Sequence, residues 1–238
     1  MAVKHGNLSI NSENIFPIIK KWLYSDHDIF VRELVSNGCD AITKLKKLEV
    51  MGEYTFPEGY KPEIQVIVNP DEKTLKFIDN GIGMTADEVE KYITQIAFSG
   101  ATQFLEKYKD KTTDDQMIGH FGLGFYSAFM VSDCVTVHTR AYGSDEAYEW
   151  KSKGVEGYSI TPCEKESHGT QIILHIKPNT DEENYDEYLD SFRIQCIVKK
   201  YSDYIRYPIQ MDVEKPRLKE ESGEKPEFET VVEKTTLN

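Results

Sequence analysis

The stretch IFVRELVSNGCDAITKLKKL, residues 29–48, predicts an amphipathic helix with an unusual polar edge. At about 100° per residue, one face is apolar and carries Val31, Leu34, Val35, Ala41, Ile42, Leu45 and Leu48. Polar residues recur at helical spacing along its border, and these are Glu33, Asn37, Asp40 and Lys44. They fit the wall of a cleft, but Asp40 and Lys44 also fit a surface salt-bridge ladder. Because a helical glycine costs about 1 kcal/mol relative to alanine, Gly38 predicts close packing there.

Composition narrows the class of protein. The chain has 238 residues, of which 39% are hydrophobic, so it can bury a core as one large domain or two small ones. A net charge of −13 argues against nucleic acid or an anionic membrane as the main partner. The four cysteines form no C-x-x-C pair, and no apolar run approaches the ~18 residues of a membrane span. We expect a soluble cytoplasmic protein with reduced thiols.

The pattern of hydrophobic residues predicts an α+β fold, a two-layer sandwich in which helices cover one face of a curved, mainly antiparallel sheet. The predicted helices cover residues 12–26, 28–48, 84–97, 126–132 and 184–205, and Thr85 followed three residues later by Glu88 predicts a capping box at the start of the third. The predicted strands are 63–68, 74–79, a meander of four strands at 134–141, 147–153, 157–164 and 169–177, and a last strand at 207–213. Residues 214–238 are charged and interrupted by proline, which predicts a linker.

Three short motifs contain glycines at positions where a ligand can approach the backbone. KFIDNGIGM, residues 76–84, ends a strand at Asp79 and continues as Gly-x-Gly, although an ordinary Asp-Asn-Gly turn fits equally well. GHFGLGF, residues 119–125, opens an apolar helix, where backbone N–H groups can hold phosphate. It does not follow a strand, which argues against a Rossmann fold. Gly169 and Thr170 lead into a later strand. Each motif alone is weak.

Together, in this order along the chain, the motifs resemble the ATPase superfamily shared by gyrase B, MutL, histidine kinases and the heat-shock-protein-90 chaperones. DIFVRELVSNGCDAI, DNGIGMT, IGHFGLGFYSAFMVSD and YPIQM are closely similar to the N-terminal domain of the heat-shock-protein-90 family, bacterial members included. The resemblance covers nearly the whole chain. It implies a Bergerat-type fold, with an N-terminal ATP-binding domain over residues 1–213 and a charged linker over 214–238 that leads to a middle domain.

The resemblance also implies a role for each residue of the site. Glu33 would orient and deprotonate the attacking water, Asn37 would coordinate Mg²⁺, and Asp79 would accept the adenine amine with support from Thr170 through water. Residues 99–124 would form a lid. The implied ATP-binding residues are Asn37, Asp40, Ala41, Lys44, Asp79, Gly83, Met84, Tyr92, Phe98, Gly122, Leu123, Gly124, Phe125 and Thr170.

The sequence departs from the family pattern beside the phosphates. Tyr92 replaces an asparagine near the ribose, Phe98 replaces a lysine near the phosphates, and Ala101 replaces a threonine at the lid hinge. Gly38 and Cys39 stand where Ala-Ser is usual. The base and metal contacts are therefore expected to be intact, whereas the phosphate and lid contacts are altered.

Three functions remain open at this point. The resemblance implies the ATP-binding domain of a chaperone ATPase that uses ATP or ADP with Mg²⁺, acts on client proteins and forms a homodimer through a C-terminal domain. The isolated domain would be a monomer with weak turnover. A nucleotide-sensing module with little or no turnover is the alternative. A histidine kinase fits less well, because such kinases have no glutamate placed like Glu33 and need a phosphoacceptor-histidine domain.

Overall fold

The structure is a computed structural model that describes residues 26–94, 124–154, 157–218 and 228–238. The predicted helix at 12–25 and the predicted lid up to residue 123 lie outside these ranges. The helices are α1 (Ile29–Val50), α2 (Ala86–Ile93), α3 (Ala128–Val131) and α4 (Ser191–Tyr201), with 3₁₀ turns at Gly124–Ser127 and Tyr185–Leu189. The strands are β1 (Ile64–Asn69), β2 (Thr74–Asp79), β3 (Ser132–Arg140), β4 (Ala147–Ser152), β5 (Tyr158–Cys163), β6 (Gly169–Ile176), β7 (Ile209–Leu218) and β8 (Phe228–Thr236).

Within the described ranges, the strands form one eight-stranded sheet in the order β5-β4-β3-β6-β2-β1-β7-β8. Neighbouring strands are antiparallel except β1 and β7, which are parallel. The α+β class and the mainly antiparallel sheet are therefore confirmed. No described helix combines the length and the apolar content needed to cross a membrane.

The predicted meander of four strands is wrong at its last member. β3, β4 and β5 do form a meander, but β6 pairs with β3 and β2 instead of β5. β5 is mostly exposed, whereas every second residue of β6 is buried, including Leu174 and Ile176. An apolar strand of this kind belongs in the centre of the sheet. After β5 the chain therefore crosses back past β4 and β3, and β6 lies between β3 and β2.

Regular structure also extends into the predicted linker. β7 continues to Leu218, and β8 pairs with it in antiparallel register from Phe228 to Thr236. The segment ETVVEKTT mixes charged residues with valine and threonine, which suits a solvated edge strand because charged side chains protect an edge from further pairing. The described part of the predicted linker is therefore a pair of strands.

One face of the sheet carries the core. In register across four central strands, Val66 of β1 pairs with Phe77, Phe77 with Ile172, and Ile172 with Val137. The ring of Phe30 in α1 meets Phe77 edge-on at 6.3 Å between centroids. Buried residues from all four described helices join the same cluster, so the helices lie on this face as predicted. α2 begins with the predicted capping box, in which Thr85 and Glu88 bond each other's backbone N–H groups.

Candidate functional site

The polar edge of α1 is buried against the rest of the protein. Asp40 is only 6% exposed, while Glu33, Asn37 and Lys44 are half-buried. Burial lowers the pKa of Lys44, and the negative charges of Asp40 and Glu88 oppose that shift. A surface salt-bridge ladder would leave both partners in solvent, so the burial of Asp40 argues against that alternative.

The turn that follows Asp79 packs directly on this edge. A Cβ atom added to Gly81 would lie 2.5 Å from the carbonyl carbon of Ala41, so only glycine permits the contact. The amide of Ile82 then donates a hydrogen bond to the Ala41 oxygen at 3.1 Å. A Cβ atom on Gly38 would lie 3.3 Å from the Cβ of Asp79. The close packing predicted from Gly38 is confirmed, and its partners are Asp79 at the end of β2 and Ile64 of β1.

Asp79 is a buried carboxyl group whose charge is costly. Burial raises its pKa to about 7, opposed by the backbone N–H groups of Gly81 and Thr170 and by the positive charge of Lys165. The Gly81 N–H donates to Oδ1 of Asp79 at 2.9 Å. That bond fixes one oxygen of the carboxyl group. A buried acid whose pKa is raised by burial is a candidate for a binding site.

Two threonines follow Asp79 in register across the core face of the sheet. Asp79 pairs in register with Thr170, and Thr170 with Thr139. The two threonine hydroxyl groups lie 3.1 Å apart, and the Met84 amide donates to Oγ1 of Thr139 at 2.9 Å. The sequence motifs predict Thr170 and Met84 as site residues but not Thr139. The sequence does indicate Thr139 through the alternation Val135, Val137, Thr139, which places a polar residue on the core face at the end of the strand.

The second glycine turn lies against the other end of the α1 edge. A Cβ atom on Gly124 would lie 2.2 Å from Oε2 of Glu33, so the backbone of this turn touches the carboxylate. Arg32 donates to the other oxygen, Oε1, at 2.6 Å. The Phe125 ring packs edge-on against Trp150 at 5.5 Å between centroids and anchors the turn in the core. Gly122 and Leu123 lie outside the described residues.

Three further predicted site residues are Asn37 in α1, Tyr92 in α2 and Phe98. Asn37 is half-buried one helical turn after Glu33, and its side chain makes no hydrogen bond within the part of the chain that the structure describes. Tyr92 is half-buried in α2, with the Lys91 ammonium 5.7 Å from its ring centroid. Phe98 lies outside the described residues.

The turn at Gly83 supports a stability prediction with a matched control. Gly83 and Gly143 both have positive φ, at 66° and 74°. A Cβ atom on Gly83 would lie 1.8 Å from the Arg140 oxygen, whereas one on Gly143 would meet nothing within 4 Å. We expect Gly143→Ala to cost about 1 kcal/mol of unfolding free energy and Gly83→Ala at least about 3 kcal/mol. Urea denaturation measures both, and equal losses would show that the Gly83 contact is relaxed in solution.

Comparison with known proteins agrees with this geometry. Residues 24–174 match the family described as histidine kinase-, DNA gyrase B- and HSP90-like ATPases. Chaperone protein HtpG of Clostridium botulinum (strain Loch Maree / Type A3) is 48% identical over 227 residues, which are 95% of this chain and 36% of that protein. Chaperone protein HtpG of Bacillus subtilis (strain 168) is 45% identical over the same shares of the two chains.

The chain thus spans 36% of the length of these curated relatives. The family match covers α1 with its polar edge, the turn after Asp79, the turn at Gly124 and β6 with Thr170. These are the elements that carry the predicted site residues. The chain belongs to the family of histidine kinase-, DNA gyrase B- and HSP90-like ATPases.

Proposed function

We propose that this chain is the ATP–Mg²⁺-binding N-terminal domain of a molecular chaperone, in which ATP binding and hydrolysis drive conformational cycling on client proteins. One observation carries the proposal. The two glycine turns, one after Asp79 and one at Gly124, both lie against the polar edge of α1. A Cβ atom on Gly81 would lie 2.5 Å from the backbone carbonyl carbon of Ala41, and one on Gly124 would lie 2.2 Å from the Glu33 carboxylate.

The spacing of the two contacts suits a mononucleotide. Gly38 and Ala41, which touch the Asp79 turn, follow Glu33 by five and eight residues. At a rise of about 1.5 Å per residue, the two turns are separated by roughly 8–12 Å along the helix. A base at Asp79 would place its phosphates toward Gly124, where backbone N–H groups at the start of a helical turn favour anions.

The residues between the turns fit a magnesium ion held mainly by phosphate. No group of three or more His, Cys, Asp or Glu side chains suited to a metal occurs in the described residues. Mg²⁺ keeps several waters and needs only one or two protein oxygens when a nucleotide supplies the rest. The Asn37 amide oxygen, half-buried beside Glu33, is the side chain that would hold it. When bound, the ion would neutralise phosphate charge.

Activities of the whole protein are part of this proposal. Both relatives are named chaperone protein HtpG. By analogy we propose client proteins as partners, a homodimer formed outside this chain, an isolated domain that is monomeric with weak turnover, and a place in the cytoplasm. The net charge of −13 supports the absence of nucleic acid and anionic membranes among its main partners.

The alternative is a module that senses nucleotide without turnover, and Phe98 is the residue that favours it. A lysine near the phosphates stabilises ATP more than ADP because ATP carries more negative charge. The phenylalanine removes that preference. We expect the chain to bind ADP at least as tightly as ATP, and Phe98→Lys to shift the ratio toward ATP in competition titrations at fixed Mg²⁺. An unchanged ratio would make Phe98 a packing residue only.

Calorimetric titration of the chain with ADP and ATP, with and without Mg²⁺, tests the proposal. We expect saturable binding of both nucleotides that strengthens when Mg²⁺ is present. The absence of binding at millimolar nucleotide would refute it. Single-turnover ATP hydrolysis by the full-length protein then separates an ATPase from a sensing module.

A further inference from the structure

The loop before β6 contacts the Asp79 turn through two neighbouring residues. A Cβ atom on Gly169 would lie 2.3 Å from the backbone oxygen of Asp79. The Nδ1 atom of His168, the preceding residue, lies 2.7 Å from the carbonyl oxygen of Gly81. The turn is therefore held by two consecutive residues of one loop.

The contacts of His168 define which ring nitrogen carries the proton. The Gly81 oxygen can only accept, so Nδ1 must be the donor. Nε2 lies 3.3 Å from the hydroxyl oxygen of Tyr54 and accepts from it in the neutral ring. The rings of Tyr54, Tyr60 and Tyr142 surround the imidazole at 6.1–6.3 Å between centroids and fix its plane.

Gly81 links His168 to Asp79 through the two peptide groups on either side of its Cα. The N–H of the Asn80–Gly81 peptide donates to Oδ1 of Asp79 at 2.9 Å, and the carbonyl group of the Gly81–Ile82 peptide accepts from His168. The Ile82 N–H of the second peptide donates to the Ala41 oxygen at 3.1 Å, so α1 and His168 hold this peptide from its two ends. With the second peptide held and the Gly81 Cα packed against Ala41, the Gly81 N–H stays directed at Oδ1.

We propose that His168 is a positioning residue for purine selectivity. By holding the Gly81 carbonyl group, it keeps the Gly81 N–H on Oδ1 and Asp79 as a fixed acceptor that favours a 6-aminopurine, which donates from its amine, over a 6-oxopurine, which presents an acceptor. This rests on the proposed nucleotide site. A looser turn lets the carboxyl group adapt to either base, so selectivity falls more than stability does.

Calorimetry with ADP and inosine diphosphate on the whole chain tests the proposal. We expect His168→Leu to weaken ADP binding by about ten-fold and to change inosine diphosphate binding much less, because one hydrogen bond to a half-buried carbonyl is lost. His168→Asn should recover most of the ratio, since its amide nitrogen can occupy the position of Nδ1. His138→Leu is the matched control, because His138 lies on the opposite face of the sheet and bonds Glu149.

Two results would overturn the proposal. One is an unchanged ratio of ADP to inosine diphosphate affinity in a folded His168→Leu variant. The other needs no variant: ¹⁵N spectra of the wild-type histidines must show His168 protonated at Nδ1, and a proton on Nε2 alone contradicts the bond to Gly81. Failure of the wild-type chain to bind ADP would instead refute the proposed function, and the ¹⁵N spectra would still test the contact.

Discussion

Asp79→Asn should abolish adenine-nucleotide binding and leave the protein folded. The Gly81 N–H must keep an acceptor at the position of Oδ1, so the amide NH₂ of the variant takes the place of the second oxygen. That group would point a donor at the adenine amine, which is also a donor. We expect affinity for ADP to fall at least about a hundred-fold, because a buried hydrogen bond to the base is replaced by two donors that face each other.

The same substitution should stabilise the fold at high pH. The folded pKa of Asp79 is about 7, above the ordinary value of 3.8, so between these values the folded state holds a proton that the unfolded state has lost. The contribution of Asp79 to the free energy of unfolding therefore falls as pH rises from about 4 to about 7, and it stays constant above pH 7. Relative to wild type, the variant should gain roughly 2–3 kcal/mol between pH 5 and pH 8.

Urea denaturation at the two pH values and calorimetry with ADP measure both effects. Asp212→Asn, an exposed site on β7, is the control and should change neither. Wild-type ADP affinity in a folded Asp79→Asn variant would show that the base binds elsewhere. A gain in stability that does not depend on pH would show that Asp79 ionises normally in the folded protein.

Glu33→Ala should separate nucleotide binding from hydrolysis. Oε2 of Glu33 touches the backbone of the Gly124 turn, which places the carboxylate at the phosphate end of the cleft and away from Asp79. Positioning and deprotonating the attacking water is worth typically 10²–10⁴-fold in rate. In the full-length protein, we expect turnover to fall by about that factor while ATP affinity stays within a few-fold of wild type.

Glu49→Ala on the exposed end of the same helix is the matched control and should leave turnover unchanged. Glu33→Gln provides a second test, because it keeps the packing against Gly124 but cannot accept a proton. Turnover should be lost in both Glu33 variants. Wild-type turnover in either of them would place the catalytic base elsewhere.

Local patterns were enough to predict the polar edge of α1 and the close packing against it. The spacing of Glu33, Asn37, Asp40 and Lys44 depends only on helical geometry, and Gly38 correctly indicated close packing against α1. The capping box at Thr85 was found for the same reason. Such signals are contained in a few consecutive residues and do not depend on how the sheet is assembled.

The errors arose where pairing between distant segments decides the structure. The position of β6 between β3 and β2 depends on which strand is the most buried, and the β7–β8 pair depends on a partner ten or more residues away. Thr139 and His168 act through residues on other strands and loops, so neither belongs to a motif in the sequence. Their roles follow from register and contact alone.

The most direct test of the nucleotide cleft is to map bound ADP–Mg²⁺ on the chain by amide chemical shifts. The cleft requires two separate groups of shifted amides that appear together on titration: Gly81 to Met84 at the base, and Gly124 with Phe125 at the phosphates. Adenosine alone should shift only the first group. Shifts confined to the opposite face of the sheet, or a second group that responds to adenosine, would contradict a site that runs along the polar edge of α1.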